Sequence, residues 1–575
     1  MKTQLETTKL VFVFVLVLNL FRNSYCNIIF SKESGFYPEE FLLTLSSSEE
    51  NSKIFYTIDG SNPTNSPTAK EYSEPILIKD RTEEPNIYSN NEEIPNSTIS
   101  ISLNMNYKKP LYLVDKAMIV KAVLKNENGF GKIIDKTYFI TTGDLNQYQD
   151  FTVISIVTNP ENLFNPDIGI YVTGSDFVPN ENNICINSCN YIKRGKEWER
   201  ESTITIFEKG EKSIEEKIGI RIRGASTRNY PLKSFNVYFR KEYGSNKIRS
   251  DTLIPDNYDI KGNIINVYDS FSLKGIIDEV PIRDLFSSKL IHGRKLLASQ
   301  NMKSSVLFLN GEFWGMYLIN EKLNAKFFGN HYNLPKKDIL FFKSYLKMES
   351  GTDEDLEKIV NFMLLYSSKD LTDLKNYNDV CEVIDVESLI EHYAAGIYLA
   401  TLDWPNMNFG MWKYNGTKIE NNIYSDGKWR FLTFDLDFTI IFDYEKYITD
   451  DEGYKLNKFE QMKNFNNYPP TSLFMALLKN KDFRKKFETI YEEYVNEVMS
   501  MDKVRPIIEE FYGEISDLIS LTKARWGGRE PSKIENIQNA KTYFKNTVIP
   551  LMQKFFENRP KVTLEHMKEF LKDFE

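Results

Sequence analysis

The sequence predicts an α+β protein with a small all-β module, a mixed middle region and a helical remainder. Three observations support this prediction. Alternating apolar and polar residues recur up to about residue 143, a β-hairpin pattern follows near residue 310, and apolar residues recur at helical spacing beyond residue 355. At 575 residues, 41% of them hydrophobic, the chain is long enough for two or three domains with sizeable cores.

The N-terminus has the pattern of a secretory signal peptide. Lys2 and Lys9 precede the apolar run Leu10–Leu20, and Ser24–Cys26 offers small residues at the expected cleavage offsets. We therefore expect residues 1–26 to be a signal peptide and the mature chain to be secreted or held at the cell surface. A signal anchor is the alternative, but the run is shorter than the roughly 20 residues that span a bilayer.

Composition argues against nucleic acid as a partner and against zinc as a metal. The formal net charge of -9 argues against a general nucleic-acid binder. Zinc is not expected, because the chain has only 4 His and no pair of them at ligand spacing. Cys185 and Cys189 are spaced to close a small disulfide, which leaves Cys381 unpaired. The sequons at Asn96 and Asn415 predict a glycoprotein if the secretory route is eukaryotic.

Residues 27–143 are predicted to form the β module. Turn residues at Asp59–Pro63 and Glu127–Gly129 separate stretches with strand patterns, namely Phe41–Leu45, Lys53–Ile58, Met118–Leu124 and Lys136–Thr141. Asp59 is predicted to be a turn residue rather than a catalyst.

The second domain is predicted to extend over residues 150–560. A hairpin is expected at Ser305–Glu321, with Asn310-Gly311 as its turn. Residues 355–575 are predicted to be mainly helical, and in the C-terminal third we expect interruptions at Gly527-Gly528 and Pro560.

The most specific pattern for function lies in two short segments. In Thr401–Asn408, Asp403 is followed five positions later by Asn408, and in Trp429–Phe438 an apolar strand pattern contains Asp435 and Asp437. Magnesium-dependent phosphoryl transfer needs this order, because the first Asp accepts a hydroxyl proton and the later Asn and Asp hold the metal. The alternatives are that Asp403 is a turn or capping acid and that the later carboxylates pair with a core Arg.

A second pattern, Gly219–Phe235, combines a glycine turn with basic side chains that suit an anion. It is not a P-loop, because Leu232 stands where a Gly must precede Lys233. The basic residues could equally form a solvated strand face. A glycosidase is a further alternative, but no second segment supplies a partner for the pair Asp435 and Asp437.

Taken together, these segments resemble the CotH family of spore-coat kinases. Segments that agree in the same order are Trp198–Glu201, Gly219–Phe235, Phe308–Tyr317, Ile319–Glu321, Asp403–Asn408 and Trp429–Phe438. The resemblance implies a divergent protein-kinase-like fold that phosphorylates Ser on secreted or coat proteins with ATP and Mg²⁺ or Mn²⁺. Some fungal members act as surface adhesins. Residues Phe55–Pro63 separately resemble the chitobiase/β-hexosaminidase C-terminal-type β-sandwich, an accessory module.

The resemblance implies a role for each matched residue. Asp403 would accept the substrate proton, and Asn408 would bind metal together with Asp435 or Asp437, of which Asp437 is favoured. The residues implied in nucleotide or phosphate binding are Lys233 with Glu279 as its weak partner candidate, Arg221, Arg223, Arg228 and, near the adenine, Asn320 and Glu321. His331, His392, Arg525 and Arg559 are interpreted as structural.

The sequence departs from the expected pattern in three respects. No kinase-type Gly-rich loop is present, and Thr401-Leu402 replaces the His-Arg that normally precedes the catalytic Asp. Lys274 stands where the family has Arg. The sequence therefore specifies the metal-binding end better than the phosphate-binding end. We expect a secreted atypical protein kinase that acts on Ser or Thr of an extracellular or coat protein. The alternative is a surface adhesin or scaffold, with the β module contacting carbohydrate or a host surface.

Overall fold

The computed structural model describes most of the chain. It covers residues 28–92, 94, 109–178, 185, 188–277, 279–343, 346–440, 442–443, 448–449 and 451–575, with only the backbone described at 279–280, 442–443 and 448–449. The predicted signal peptide and the Asn96 sequon lie outside the described residues. No helix in the described part of the chain is both long and apolar enough to cross a membrane.

The N-terminal region is β-rich, as predicted. Its strands are β1 Ile28–Phe30, β2 Gly35–Tyr37, β3 Phe41–Leu43, β4 Leu45–Ser47, β5 Lys53–Thr57, β6 Lys70–Glu71, β7 Ile76–Ile78, β8 Met118–Asn126, β9 Gly129–Phe130 and β10 Ile134–Ile140. The main sheet has the order β2-β10-β8-β5-β6, with β9 on β8, and β1-β4 and β3-β7 form two smaller ladders. Asp59 lies in a turn, where Oδ1 accepts the Ser61 backbone N–H at 3.0 Å, as predicted.

A closed seven-stranded barrel follows. Its strands are β11 Thr152–Val157, β12 Arg200–Glu208, β13 Glu211–Arg223, β14 Ser234–Tyr238, β17 Ser270–Ile276, β18 Met302–Leu309 and β19 Glu312–Glu321, in the order β11-β12-β13-β14-β17-β19-β18. A short ladder, β15 Ile248–Arg249 with β16 Val267–Tyr268, lies outside the barrel. The predicted hairpin turn is confirmed, since Asn310 and Gly311 have φ of 47° and 88° between β18 and β19.

Strand alternation gives β17 two different faces. Phe271 and Leu273 are fully buried in the cluster of apolar side chains that also includes Phe235 and Val237 of β14. Lys274 lies on the opposite face, because successive side chains of a strand point to opposite sides. That face meets helix α2 and the loops of the helical region, where the candidate site lies.

A second, four-stranded sheet adjoins the barrel. It comprises β20 Ile339–Lys343, β21 Lys347–Ser350, β22 Phe409–Tyr414 and β23 Arg430–Thr433, in the order β21-β20-β22-β23. Strands β22 and β23 therefore interrupt the region that was predicted to be mainly helical. A short backbone ladder pairs β24 Phe442–Asp443 with β25 Ile448–Thr449.

The helices lie mostly in the second half of the chain. They are α1 Pro160–Phe164, α2 Glu279–Ile291, α3 Ala325–His331, α4 Asp353–Ser367, α5 Leu374–Val383, α6 Val386–Tyr398, α7 Lys458–Lys463, α8 Pro469–Leu477, α9 Lys481–Glu493, α10 Met501–Glu510, α11 Ser516–Gly527, α12 Lys533–Tyr543 and α13 Ile549–Leu571. The predicted interruption at Gly527 is confirmed, but the one at Pro560 is wrong. Helix α13 continues through Pro560, and buried Phe556 and Thr563 on either side anchor it despite the missing N–H.

The β module packs directly on the barrel. Glu312 at the start of β19 accepts the backbone N–H groups of Ile87 at 2.6 Å and Ser89 at 2.6 Å. Lys136 of β10 forms an ion pair with Glu215 of β13 at 2.5 Å. These contacts use buried and half-buried groups of both parts, so the module is a fixed part of the described fold.

The cysteines follow the predicted pattern. Cys185 and Cys189 form a disulfide, and Cys381 is free and half-buried. Asn415, the second sequon, is exposed after β22.

Candidate active site

The site is built on a loop that leaves the buried helix α6. Every residue of α6 from Ser388 to Tyr398 is buried, so the helix fixes where its C-terminal loop begins. The loop is tied to the segment after β23 by two backbone hydrogen bonds, from the N–H of Leu402 to the carbonyl of Phe438 at 2.9 Å and from the N–H of Ile440 to the carbonyl of Leu399 at 2.8 Å. The two segments singled out in the sequence therefore form one structural unit.

Asp403 and Asn408 lie at hydrogen-bonding distance within this unit. Asn408 Nδ2 donates to Asp403 Oδ2 at 2.5 Å. Asp403 Oδ1 is buried and has no hydrogen-bond partner among the described residues. Burial raises the pKa of Asp403 to about 7, the charge of Asp435 acts in the same direction, and the Asn408 hydrogen bond and Lys274 oppose them. A carboxyl with such a pKa can take up a proton near neutral pH.

Lys274 links the barrel to this loop through three carboxyl groups. Its ammonium is 2.6 Å from Asp284 of α2, 2.7 Å from Asp435 and 3.5 Å from Asp437. Burial by itself lowers the pKa of Lys274, but these three carboxylates outweigh it and hold the pKa well above its usual value. Asp284 also accepts the backbone N–H of Leu436 at 2.9 Å, which holds α2 against the segment after β23.

Asp435 and Asp437 lie in different environments. The side chain of Asp435 is 45% exposed and that of Asp437 is 12% exposed. Burial acts to raise the pKa of Asp435, but the adjacent Lys274 ammonium outweighs it and holds that pKa below its usual value. Burial raises the pKa of Asp437 well above its usual range, with the charges of Asp435, Asp403 and Asp284 adding to the effect against Lys274. Asp435 is therefore the more accessible, ionised carboxylate of the two.

Comparison with protein families gives two matches. The family model described as CotH kinase protein matches residues 220–563, which is more than half of the chain. The chain belongs to the CotH kinase protein family. The model of the chitobiase/β-hexosaminidase C-terminal domain matches residues 32–128, within the β-rich region. No curated protein matches the chain.

Lys233, which the CotH resemblance implied as the phosphate-contacting lysine, lies elsewhere. Its ammonium is fully buried, donates to the backbone carbonyls of Arg228 at 2.8 Å and Tyr230 at 3.1 Å, and lies 3.8 Å from the centroid of the Tyr191 ring. An ammonium saturated in this way inside the protein cannot reach a phosphate. The implied phosphate contact of Lys233 is therefore wrong, and Lys274 is the lysine that contacts the carboxylates.

Arg228 is also structural in this CotH chain. It is buried and donates to the carbonyls of Gly224 at 2.8 Å, Tyr191 at 2.8 Å and Ile222 at 2.6 Å, which fold the loop after β13 onto itself. The implied phosphate contact of Arg228 is therefore wrong.

The two other arginines of the basic segment differ from each other. Arg221 forms an ion pair with Glu199 at 2.7 Å, so its charge is already neutralised. Arg223, the last residue of β13, lies within electrostatic range of Asp435 and lowers the pKa of that carboxyl.

Glu321, implied to lie near the adenine, has protein partners. Its carboxylate lies 2.5 Å from His331 Nε2 and 3.1 Å from Asn257 Nδ2. Neighbouring Asn320 is buried on β19, and its Oδ1 has no hydrogen-bond partner among the described residues. Of this pair, Asn320 is the residue with an unused hydrogen-bonding group.

The two histidines and Arg559 are structural, as predicted. His392 Nε2 accepts the indole N–H of Trp404 at 2.9 Å, and His392 Nδ1 lies 2.9 Å from Thr433 Oγ1, which joins α6, the Asp403 loop and β23. Burial lowers the pKa of His392 to about 3, so the ring is neutral. Arg559 of α13 donates to the carbonyls of Ile397 at 2.7 Å and Tyr398 at 3.0 Å, just before the same loop.

The sequence analysis missed the ion pair between Lys274 and Asp284. Asp284 lies ten positions after Lys274, on the helix that follows its strand, and no local pattern connects the two residues. The weak candidate Glu279 has no described side chain.

The donor set suits Mg²⁺ or Mn²⁺ bound together with phosphate oxygens. No three His, Cys, Asp or Glu side chains in the described part of the chain form a ready-made metal cluster. Mg²⁺ is usually held by one or two carboxylates plus substrate phosphates rather than by a complete protein cage. Asn408, Asp435 and Asp437 supply oxygen donors of that kind, and the unpartnered Oδ1 of Asp403 marks the site as incompletely satisfied by protein groups. The residues therefore fit such an ion.

A cavity of about 510 Å³ lies in another part of the molecule and is lined by His292, Arg294 and His331 among others. The carboxyl groups of the candidate site, those of Asp284, Asp403, Asp435 and Asp437, do not line this cavity. The cavity is therefore separate from the candidate site.

Proposed function

We propose that this chain is an ATP-dependent, divalent-metal-dependent protein kinase that phosphorylates Ser or Thr of an extracellular or coat protein. The observation that supports the proposal is the convergence of Asp403, Asn408 and Asp435 around the Lys274–Asp284 ion pair. Along the chain, protein kinases place a strand lysine paired with a helix acid, then a proton-accepting Asp, a metal-binding Asn five positions later and a metal-binding Asp after the next hairpin. This chain presents Lys274, Asp284, Asp403, Asn408 and Asp435 in that order.

Each residue has a role in this proposal. Asp403 accepts the proton of the acceptor hydroxyl, and its pKa of about 7 suits a base that works near neutral pH. Asn408 and Asp435 would hold the metal ion, which when bound neutralises charge on the phosphates. Of the two carboxylates after β23 we assign this role to Asp435 rather than to the favoured Asp437, because Asp435 is exposed and ionised. Lys274, fixed by Asp284, would orient the phosphates.

Transfer of the terminal phosphate of labelled ATP to protein tests the proposal. Mature chain with Mg²⁺ or Mn²⁺ should incorporate label into itself or into a Ser-rich acceptor, and Asp403→Asn should lose at least a hundredfold of that activity. Asp373→Asn is the matched control, since Asp373 caps α5 through the Asn376 N–H at 3.0 Å and Asn caps a helix equally well. Full activity in Asp403→Asn would refute the assignment.

We also propose that the protein works outside the cell or at its surface. The apolar segment Leu10–Leu20 and the Cys185–Cys189 disulfide support this, because disulfides persist mainly in oxidising compartments. Resistance of the purified native protein to alkylation at Cys185 and Cys189, with Cys381 reactive after unfolding, would support it. Two freely alkylated thiols at Cys185 and Cys189 would contradict it.

A binding role for the β module is a separate proposal. The matched domain model is named for chitobiase and β-hexosaminidase, and Asp59 in the module is held in a turn rather than placed as a catalyst. We therefore expect contact with carbohydrate or a cell surface. If wild-type protein binds such a surface but incorporates no label, the adhesin or scaffold alternative replaces the kinase.

A further inference from the structure

Two cations that the proposed roles leave unused lie near Asp435 and come from different parts of the fold. Arg223 ends strand β13 of the barrel, and Lys343 ends strand β20 of the second sheet. Arg223 is paired in register with Ser234, whose Oγ accepts the backbone N–H of Gly275 at 3.0 Å, next to the Lys274 that contacts Asp435. The charges of Arg223 and Lys343 accordingly act on Asp435.

The strand pairing shows how Lys343 is placed relative to the metal-binding residues. Lys343 is paired in register with Gly410 of β22, two residues after Asn408. Its ammonium lies 5.9 Å from the centroid of the Phe434 ring, and Phe434 immediately precedes Asp435. Lys343 thus lies beside both segments that carry the proposed metal ligands.

Neither cation is neutralised by the protein. Among the described residues, no carboxylate lies within ion-pair distance of Arg223 or Lys343, and Lys343 Nζ has only the carbonyl of Leu323 at 3.3 Å. Burial lowers the pKa of Lys343 to about 8. Glu349 opposes this shift, whereas the charges of Arg223, Lys322 and Lys347 add to it. The cations therefore repel one another in the absence of an anion.

Two neighbouring cations without a carboxylate partner are unusual in a chain with a formal charge of -9. Half-buried like charges cost free energy, and a bound anion relieves that cost. Arg and Lys also make strong charge-assisted hydrogen bonds to phosphate oxygens. The other basic residues of the Gly219–Phe235 segment are already used, since Arg221 pairs with Glu199 and Arg228 and Lys233 are saturated by carbonyls.

We propose that Arg223 and Lys343 form a two-sided clamp for a polyphosphate chain, with one cation from the barrel and one from the second sheet. The clamp would supply phosphate contacts in a chain that lacks a kinase-type Gly-rich loop. That the polyphosphate belongs to a nucleoside triphosphate rests on the proposed function. The clamp itself requires only that a chain of phosphates binds next to Asp435.

Calorimetric titration of the mature chain with sodium tripolyphosphate, in the absence of divalent metal, tests the clamp. Wild-type protein should bind, and Arg223→Gln and Lys343→Met should each weaken the affinity about tenfold, as expected for loss of one charge-assisted hydrogen bond. Lys413→Met is the matched control, because Lys413 lies in the same sheet on β22 with its ammonium 5.7 Å from the Trp429 ring centroid. It should bind as wild type does.

The possible results distinguish failure of the clamp from failure of the proposed kinase activity. Wild-type affinity in both Arg223→Gln and Lys343→Met overturns the clamp, and so does a wild-type protein that binds an acidic peptide but no tripolyphosphate. If the two variants bind tripolyphosphate as wild type does and label is still transferred, the clamp fails and the kinase stands. If tripolyphosphate binds through the two residues but no label is transferred, the clamp stands and the proposed kinase activity fails.

Discussion

Replacing Lys274 with Met should destabilise the protein strongly, and more so at higher pH. The substitution keeps the apolar stem but removes the ammonium that lies 2.6 Å from Asp284 and 2.7 Å from Asp435. Asp284 has a side chain only 2% exposed, so it would be left as a buried, unpaired charge. Removing one partner of a buried ion pair costs about 3–5 kcal/mol.

Most of this loss of about 3–5 kcal/mol in the free energy of unfolding comes from Asp284. The side chain of Asp435 is 45% exposed, so water screens its loss and its share is at most about 1 kcal/mol. Without the ammonium, an orphaned carboxyl of the folded protein takes up a proton more readily than the unfolded chain does. The proton therefore stabilises the folded variant at low pH. This stabilisation is lost as pH rises through the raised pKa of the carboxyl in the folded state. Each such carboxyl makes the variant lose about 1.4 kcal/mol per pH unit between the unfolded pKa near 4 and the folded value.

Urea unfolding at pH 5 and pH 8, followed by tryptophan fluorescence, measures the effect. The variant should lose about 3–5 kcal/mol at pH 8 and clearly less at pH 5. Lys274→Arg, which restores the family residue and keeps the charge, is the control and should lose less than about 1.5 kcal/mol. The reasoning is refuted if Lys274→Met is as stable as wild type at pH 8, or if its deficit is the same at both pH values.

Three further predictions follow from individual contacts. Because Asp403 must be ionised to accept a proton and has a pKa of about 7 without metal, kcat/KM for labelling at subsaturating metal should fall about tenfold per pH unit below pH 7, and a flat profile down to pH 5 would contradict its role as the base. Arg559→Lys should lower the free energy of unfolding by about 3 kcal/mol, because one ammonium cannot serve all the carbonyls that the guanidinium reaches, while the exposed Arg505→Lys should change it by less than about 0.5 kcal/mol. Lys233→Met should lower the melting temperature but leave the KM for ATP within about twofold, since its ammonium bonds only to carbonyls, and a tenfold rise in KM without a change in melting temperature would restore its phosphate role.

The pairing of Asp403 with Asn408 could be predicted because its information is local. The two residues belong to one loop, five positions apart, and their side chains lie 2.5 Å from each other. Asn408 and Asp435 adopt left-handed backbone conformations, with φ of 57° and 58°, that Asn and Asp tolerate better than most residues. Residue type and backbone requirement therefore agree at both positions.

Which lysine would meet the carboxylates at the proposed phosphate-binding end could not be predicted, because it depends on how the barrel closes. Lys233 and Lys274 both lie at or in apolar strands, and nothing in either local sequence says which ammonium faces the carboxylates. Lys233 is enclosed by Tyr171 and Tyr191, which come from segments far earlier in the chain. Lys343 comes from a different sheet altogether, so its approach to Asp435 is a purely tertiary result.

The carboxyl groups near Lys274 outnumber the cations that contact them. Lys274 contacts Asp284, Asp435 and Asp437, and it acts on Asp403 through its charge. The charges of Arg223 and Lys343 act on Asp435, so positive charge falls short at Asp403 and Asp437. Protons fill part of this deficit, because burial and mutual repulsion raise the pKa of Asp403 to about 7 and that of Asp437 well above its usual range. A divalent ion beside Asn408 and Asp435 would supply the same positive charge and favour release of those protons. Under the proposed function, metal binding and ionisation of Asp403 would therefore be coupled, and a metal bound with the phosphates would also favour the ionised form of Asp403.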